Sequence, residues 1–178
     1  YTRSAGLDQF VRDARITPIY EGTTAIQAAD LAGRKIARDG GKVLAALVAD
    51  MRADAASLVD SGNATLAAIG TRIGNGLADL EAATAALLEK MGTQPAAGLV
   101  VAEPFLKLFA SVAGGWLMGK AAHKAVAAIA AGSDDPFYKG KIASAKFYAD
   151  HILTRSSGLL ATVQADNSLL LEMADEGF

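Results

Sequence analysis

The sequence contains no cysteine, and this absence excludes disulfide bonds, thiol nucleophiles and thiolate metal sites. A cysteine-free chain fits a cytoplasmic protein, and this is the location that we expect. Charge of one sign is also lacking, since 17 basic and 19 acidic residues leave a net charge of -2. Because a nucleic-acid-binding domain usually presents a basic face, the charge balance gives no support to a nucleic-acid partner.

Long hydrophobic runs are missing as well. The most apolar charge-free run, Leu108 to Gly119, lies between Lys107 and Lys120 and is well short of the roughly 20 residues that cross a bilayer. We therefore predict no membrane span. The first residues include Arg3 and Asp8 and no apolar run follows them, so no signal peptide is visible. A hydrophobic fraction of 52% with 20% charged residues is typical of a globular domain with a substantial core.

The alternating β-branched pattern of strands is absent, and the sequence predicts an all-α fold. Alanine and leucine dominate, and clusters of glycine, asparagine and proline separate segments of helix length. We expect one helix near residues 5–13 and a second from Thr24 to Arg38, ended by Asp39-Gly40-Gly41. This stop is the predicted domain boundary, which divides the chain into residues 1–40 and 41–178.

The larger part, 41–178, is expected to form a bundle of about four antiparallel helices. One helix ends near Ser61-Gly62, and Asn63 caps the next. The segment from Ala96 to Ala131 is apolar around nearly its whole circumference, so we predict that it is the central and most buried one. Asp134-Asp135-Pro136 has the composition of a cap followed by proline in the first helical turn, and predicts the start of the last helix.

The candidate functional residues lie at a turn before the second helix. Glu21 precedes Gly22, and Thr23 or Thr24 can cap the helix that follows. Glycine lets a backbone approach a ligand closely, and the free N–H groups of a first helical turn can bind an anion or a polar ring edge. Spacing alone favours a surface glutamate that complements a helix dipole.

The residue identities in this region are more informative than their spacing. The run R-D-A-R-I, then I-Y-E-G-T, then I-Q-A-A-D-L-A-G-R-K, within residues 12–35, resembles the C-terminal catalytic segment of the flavin-dependent acyl-CoA dehydrogenases. Tyr1-Thr2 is similar to the end of the family's G-G-x-G-Y-T stretch. The run F-Y-K-G-K-I-A-S-A-K-F-Y-A at 137–149 resembles a motif in the helical C-terminal extension of longer members, the 3-methylmercaptopropionyl-CoA dehydrogenase type. Since the resemblance starts in mid-motif, we expect the chain to be the C-terminal part of a longer polypeptide.

The resemblance implies a role for each residue of the turn. The glutamate that matches Glu21 takes the α-proton of an acyl-CoA thioester while the β-hydride passes to N5 of FAD. Gly22 is implied to lie at the substrate, with a neighbouring backbone N–H aimed at the thioester oxygen. Thr23, Thr24 and Ala25 match positions that contact FAD. The implied partners are an acyl-CoA substrate, the N-terminal portion of the same enzyme, a second copy in a homo-oligomer, and an electron-transfer flavoprotein as electron acceptor.

Other functions stay open at this point. An acyl-CoA oxidase, which reoxidises flavin with oxygen in place of an electron-transfer flavoprotein, is the enzymatic alternative. A helical module that stabilises an oligomer without activity of its own is also consistent with 41–178. Neither His123 nor His151 has a second ligand at helical spacing, so no metal site is predicted. Trp116 and Phe147 are assigned to core packing, as aromatic residues at helical spacing usually are.

Overall fold

The computed structural model describes residues 8–17, 19 and 23–173, and in this part of the chain all regular structure is helical, with no strand. The predicted all-α fold is confirmed. In chain order the described helices are α1 (Asp8–Arg15), α2 (Thr24–Ala29), α3 (Lys42–Val59), α4 (Ala64–Thr93), α5 (Pro95–Val100), α6 (Ala102–Ala130), α7 (Pro136–His151), α8 (Ser156–Gln164) and α9 (Ser168–Glu172).

Helix α2 does not stop at its last α-helical residue. It continues as a π-helical segment, Asp30–Ile36, and a final 3₁₀ turn, Ala37–Asp39. Gly40 and Gly41 then take φ angles of 67° and 78°, a left-handed conformation that favours glycine and ends the helix. The predicted stop at these glycines is confirmed, whereas the π-helical winding was not predicted.

The long helices α4 and α6 lie antiparallel at the centre of the fold. Helix α3 packs against both, and α2 with its π-helical continuation packs against α6. Helices α7 and α8 also pack against both central helices. Buried side chains from all of these helices form one apolar cluster, which includes Ile36, Met51, Leu77, Phe105 and Val163. The predicted boundary between 1–40 and 41–178 stays a prediction.

The segment from Ala96 to Ala131 differs from its prediction. It forms two helices, because the backbone breaks at Val101 and α6 begins at Ala102, two residues before Pro104. Helix α6 is also not buried on all sides, since Lys107, Leu117 and Lys124 lie on an exposed strip. The prediction gave too little weight to Lys107 and Lys124, which lie on this strip among the alanines that make the segment apolar on average.

The predicted helix starts are confirmed in detail. Asn63 Oδ1 accepts hydrogen bonds from the backbone N–H groups of Thr65 and Leu66 at 3.0 and 3.1 Å. Asp135 Oδ1 accepts from Phe137 N at 2.9 Å, with Pro136 in the first turn of α7. Both caps satisfy N–H groups that have no partner within the helix.

Helix α8 was not predicted, although it packs against both central helices and buries Val163. Its start, Ser156-Ser157-Gly158, has the composition of a loop, which concealed the apolar residues that follow it. Among the described residues, no helix combines the length and the apolarity that crossing a bilayer requires.

Candidate functional site

The turn that carries the candidate site is described only from Thr23 onward. Glu21 and Gly22 lie outside the described residues, so their roles as base and substrate contact stay predictions. Thr23, Thr24 and Ala25 are described, and all three are exposed in one turn at the start of α2. The structure thus brings together the three residues that the resemblance assigns to FAD.

Thr23, and not Thr24, caps this helix. Its Oγ1 accepts a hydrogen bond from Ile26 N at 3.4 Å, and its carbonyl oxygen accepts from Gln27 N at 3.1 Å. These are the first hydrogen bonds of the helix in the part of the chain that the structure describes. The N–H groups of Thr24 and Ala25 therefore remain as donors at an exposed helix start.

One face of α2 and of its π-helical continuation packs against the core of the bundle. Ala28, Ala32 and Ile36 are buried and belong to the same apolar cluster as the central helices. Asp30 forms an ion pair with Arg34 at 3.0 Å, on the outer side of the π-helical segment. The start of α2 is thus an exposed turn on a helix whose opposite face is anchored to α6.

A second polar cluster joins α3 to α6, and the sequence did not predict it. Trp116 Nε1 donates to Asp54 Oδ2 at 2.7 Å, and Lys120 Nζ donates to the same oxygen at 2.9 Å. Lys120 Nζ also lies 4.7 Å from the centre of the Trp116 ring, a cation–π contact. The hydrogen bonds from Lys120 and Trp116 hold the pKa of Asp54 below its ordinary value. This cluster ties α3 to α6, and it borders a small surface pocket of about 160 Å³ that His123 also lines.

Neither histidine forms part of a metal site in the described structure. His123 is exposed near Asp54, and the exposed His151 ring lies 4.6 Å from that of Phe147. Within residues 8–17, 19 and 23–173, no group of three potential ligands from histidine and the acidic residues comes together.

The surface of the described residues includes apolar grooves, of which two are well defined. One, of about 280 Å³, lies between α3 and α4 and is lined by Leu44, Val48 and Leu88 among others. The other, of about 620 Å³, lies between α6 and α7. Phe147 lines it and is 60% exposed, so its assignment to core packing is wrong. Tyr148, beside it, donates to the Ser111 carbonyl at 3.1 Å, and burial raises the pKa of its hydroxyl group.

The fold and the partial site define a class of protein: an all-α domain with an exposed helix start whose opposite face packs on the core. The family described as "Acetyl-CoA dehydrogenase C-terminal like" matches residues 44–174, and the chain belongs to this family. The resemblance to acyl-CoA dehydrogenases is thereby confirmed.

Two curated relatives cover most of the chain. The 3-methylmercaptopropionyl-CoA dehydrogenase of Ruegeria pomeroyi is 41% identical over 157 residues, which are 88% of this chain and 26% of the relative. The broad-specificity linear acyl-CoA dehydrogenase FadE5 of Mycobacterium tuberculosis is 32% identical over 183 residues, 97% of this chain and 29% of the relative. The chain thus spans less than a third of the length of either relative.

Proposed function

We propose that this chain is the C-terminal part of a longer FAD-dependent acyl-CoA dehydrogenase, which oxidises an acyl-CoA thioester to the 2,3-enoyl-CoA. One observation carries the proposal. The alignment with a linear acyl-CoA dehydrogenase covers 97% of the chain, so it includes the Y-E-G-T turn as well as the bundle. The family match to residues 44–174 supports the same assignment for the bundle alone.

In this proposal Glu21 is the base. A thioester acidifies the α carbon of its acyl chain, and a carboxylate in a dry pocket gains basicity as its pKa rises toward the working pH. Gly22, which has no Cβ, permits close approach of the substrate, and a backbone N–H beside it stabilises the charge that develops on the thioester oxygen.

The described part of the turn fits a flavin nucleotide. Thr23 and Thr24 supply hydroxyl groups, and Thr24 and Ala25 supply backbone N–H donors, all exposed at the start of α2. Such neutral donors suit the polar atoms of a phosphate or a flavin ring. When bound, FAD supplies the acceptor for the hydride of the β carbon. The chain's own contribution is to hold these donors through the anchored face of α2, two to four positions after Glu21 in the sequence.

The test is Glu21→Gln in the longer polypeptide that carries this chain. The amide has nearly the same shape but cannot accept the α-proton, so flavin binding should persist while acyl-CoA no longer bleaches the flavin under anaerobic conditions. Glu89→Gln, on an exposed position of α4, is the matched control and should leave bleaching at the wild-type rate. Flavin reduction near the wild-type rate in Glu21→Gln would place the base elsewhere.

A further inference from the structure

A small polar pocket lies on the surface between α3 and α6, beside the cluster that joins these two helices. It has a volume of about 160 Å³ and is lined by Asp54, Ser57, Leu58, Lys120, His123 and Lys124. On each helix the lining residues stand three and four positions apart, so each helix contributes one face. Five of the six residues carry a polar or charged side chain, which makes the pocket suited to a polar ligand.

Three side chains of the pocket carry donor groups that no described residue uses. In the part of the chain that the structure describes, Ser57, His123 and Lys124 form no hydrogen bond and no ion pair. They supply a hydroxyl, an imidazole and an ammonium group, each of which donates to an oxyanion. The charge of Lys120 is offset by Asp54, to which it donates at 2.9 Å, so Lys124 leaves the pocket with a net positive charge. The pocket therefore favours an anion.

Asp54 restricts which anion the pocket accepts. Its Oδ2 accepts from Trp116 and Lys120, whereas Oδ1 has no hydrogen-bond partner among the described residues. An ionised carboxylate is an acceptor only, so it repels an oxyanion that has no proton but accepts from one that carries an O–H group. Inorganic phosphate carries an O–H near neutral pH, whereas sulfate, of the same tetrahedral shape, does not. The pocket is thus better matched to phosphate than to sulfate.

The size of the pocket points to a small ligand. A water molecule occupies about 30 Å³ of the liquid, so the pocket has room for about five waters, which is enough for one tetrahedral oxyanion. Pockets that hold drug-sized ligands or cofactors usually start at about 300 Å³. A nucleotide or an acyl-CoA molecule is therefore too large to fit as a whole.

We propose that this pocket binds inorganic hydrogen phosphate. Ser57, His123 and Lys124 donate to its oxygens. Asp54 accepts from its O–H group. Because the donors come from both helices, the bound anion links α3 to α6 next to the existing hydrogen bonds of Asp54. This inference is independent of the flavin chemistry, since none of the lining residues belongs to the turn at 21–25.

The test is titration of the chain with sodium phosphate and, separately, with sodium sulfate, at pH 7 and constant ionic strength. Isothermal titration calorimetry gives both dissociation constants, and circular dichroism verifies that each protein is folded. The wild type should bind phosphate saturably and at least about ten-fold more tightly than sulfate. NMR locates the site, because the chain has two histidines. The ring signals of His123 should shift with phosphate, and those of His151, on α7, should not.

Variants separate the roles of the charges. Lys124→Ala should raise the dissociation constant of phosphate about ten-fold, since a charge-assisted hydrogen bond is lost. Lys107→Ala, at an exposed position of the same helix outside the pocket, is the matched control and should leave the constant unchanged. Asp54→Asn should abolish the preference for phosphate. Its amide oxygen stays with Trp116, and its NH₂ group then donates to sulfate as well as to phosphate.

Methyl phosphate distinguishes free phosphate from the phosphate group of a larger molecule. The second pKa of a phosphate ester is about 6, so at pH 7 most of it lacks the O–H that Asp54 accepts. It should therefore bind more weakly than inorganic phosphate.

Three results would overturn the proposal. The first is a wild-type chain without saturable phosphate binding. The second is equal binding of phosphate and sulfate, which would show that Asp54 makes no selection. The third is tighter binding of methyl phosphate, which would assign the pocket to an ester. None of these results bears on Glu21, whose test measures flavin reduction.

Discussion

At the scale of single residues, Asp54 carries more of the tertiary structure than its exposed position on α3 suggests. One of its oxygens accepts from both Trp116 and Lys120 on α6. The side chain is 40% exposed, so solvent screens the charge and limits its contribution. A change to asparagine removes the charge and keeps an acceptor oxygen, whereas a change to alanine removes both.

We expect Asp54→Asn to cost about 0.2–1 kcal/mol, because the amide oxygen still accepts from Trp116 while the attraction to Lys120 is lost. Asp54→Ala should cost about 0.5–1.5 kcal/mol more, since the indole N–H then loses its acceptor. Urea denaturation measures both. Equal stabilities of the two variants would show that the Trp116 hydrogen bond contributes nothing.

The pKa shift of Asp54 also predicts a pH dependence. Its pKa is lower in the folded chain than in the unfolded chain, so its stabilising effect is present above about pH 4 and is lost as the pH falls through the folded value. The stability difference between wild type and Asp54→Asn should therefore shrink below about pH 4. A difference that stays constant from neutral to acidic pH would contradict this assignment.

The sequence predicted residue roles where the partner is local. The caps Asn63 and Asp135 accept from N–H groups two or three positions away, so spacing along the chain is sufficient. Trp116 packs against the core as predicted. Its hydrogen bond to Asp54 was not predicted, because the two residues are 62 positions apart and no local pattern records such a distance. The exposure of Phe147 was not predicted for the same reason, since it depends on which helices pack against α7.

At the scale of helices, the sequence predicted most elements but not their continuity. The end near Ser61-Gly62 and the cap at Asn63 located the junction of α3 and α4, and the buried residues of both helices recur mostly three or four positions apart. Between Ala96 and Ala131 the apolar residues lie on all sides of a helix. They form no single stripe whose change of direction would reveal the break at Val101. Helix continuity there depends on the turn that α5 makes against α4, which is a tertiary contact.

The crossing of α3 and α4 gives a prediction at this scale. A Cβ at Gly70 would lie 2.6 Å from the Ala55 carbonyl oxygen and 2.9 Å from Leu58 Cβ, and a backbone atom cannot move away cheaply. We expect Gly70→Ala to destabilise the chain by about 1–3 kcal/mol. Gly74→Ala, one turn along the same helix with nothing within 4 Å, should instead stabilise it by about 0.5–1 kcal/mol.

Chemical denaturation of both glycine variants checks this pair. Because each change adds the same methyl group to the same helix, the difference between them isolates the close contact with α3. A Gly70→Ala variant as stable as Gly74→Ala would mean that the two helices separate without cost.

At the scale of the whole molecule, α4 and α6 are the two helices against which α3, α7 and α8 all pack. Leu77, fully buried on α4, and Ile36, buried at the end of the π-helical segment, belong to one apolar cluster. The cluster contains residues from both sides of the predicted boundary at residue 40. Whether it unfolds in one step therefore tests whether 1–40 is a separate unit.

We expect Leu77→Ala and Ile36→Ala each to lower the stability by about 2–5 kcal/mol, and to do so in one shared unfolding transition. Scanning calorimetry and circular dichroism measure this together, with Leu117→Ala at a 58% exposed position as control. A second transition that responds to Ile36→Ala and not to Leu77→Ala would separate the segment before Gly40 from the bundle.

The placement of Trp116 has an optical consequence. It is the only tryptophan of the chain, and its indole lies in the α3–α6 junction between a carboxylate and an ammonium group. Its intrinsic emission therefore reports on a single place in the fold, without any label. Any event that parts α3 from α6, whether acid or denaturant, will change the spectrum of this one fluorophore, while events confined to α7 should leave it unaltered.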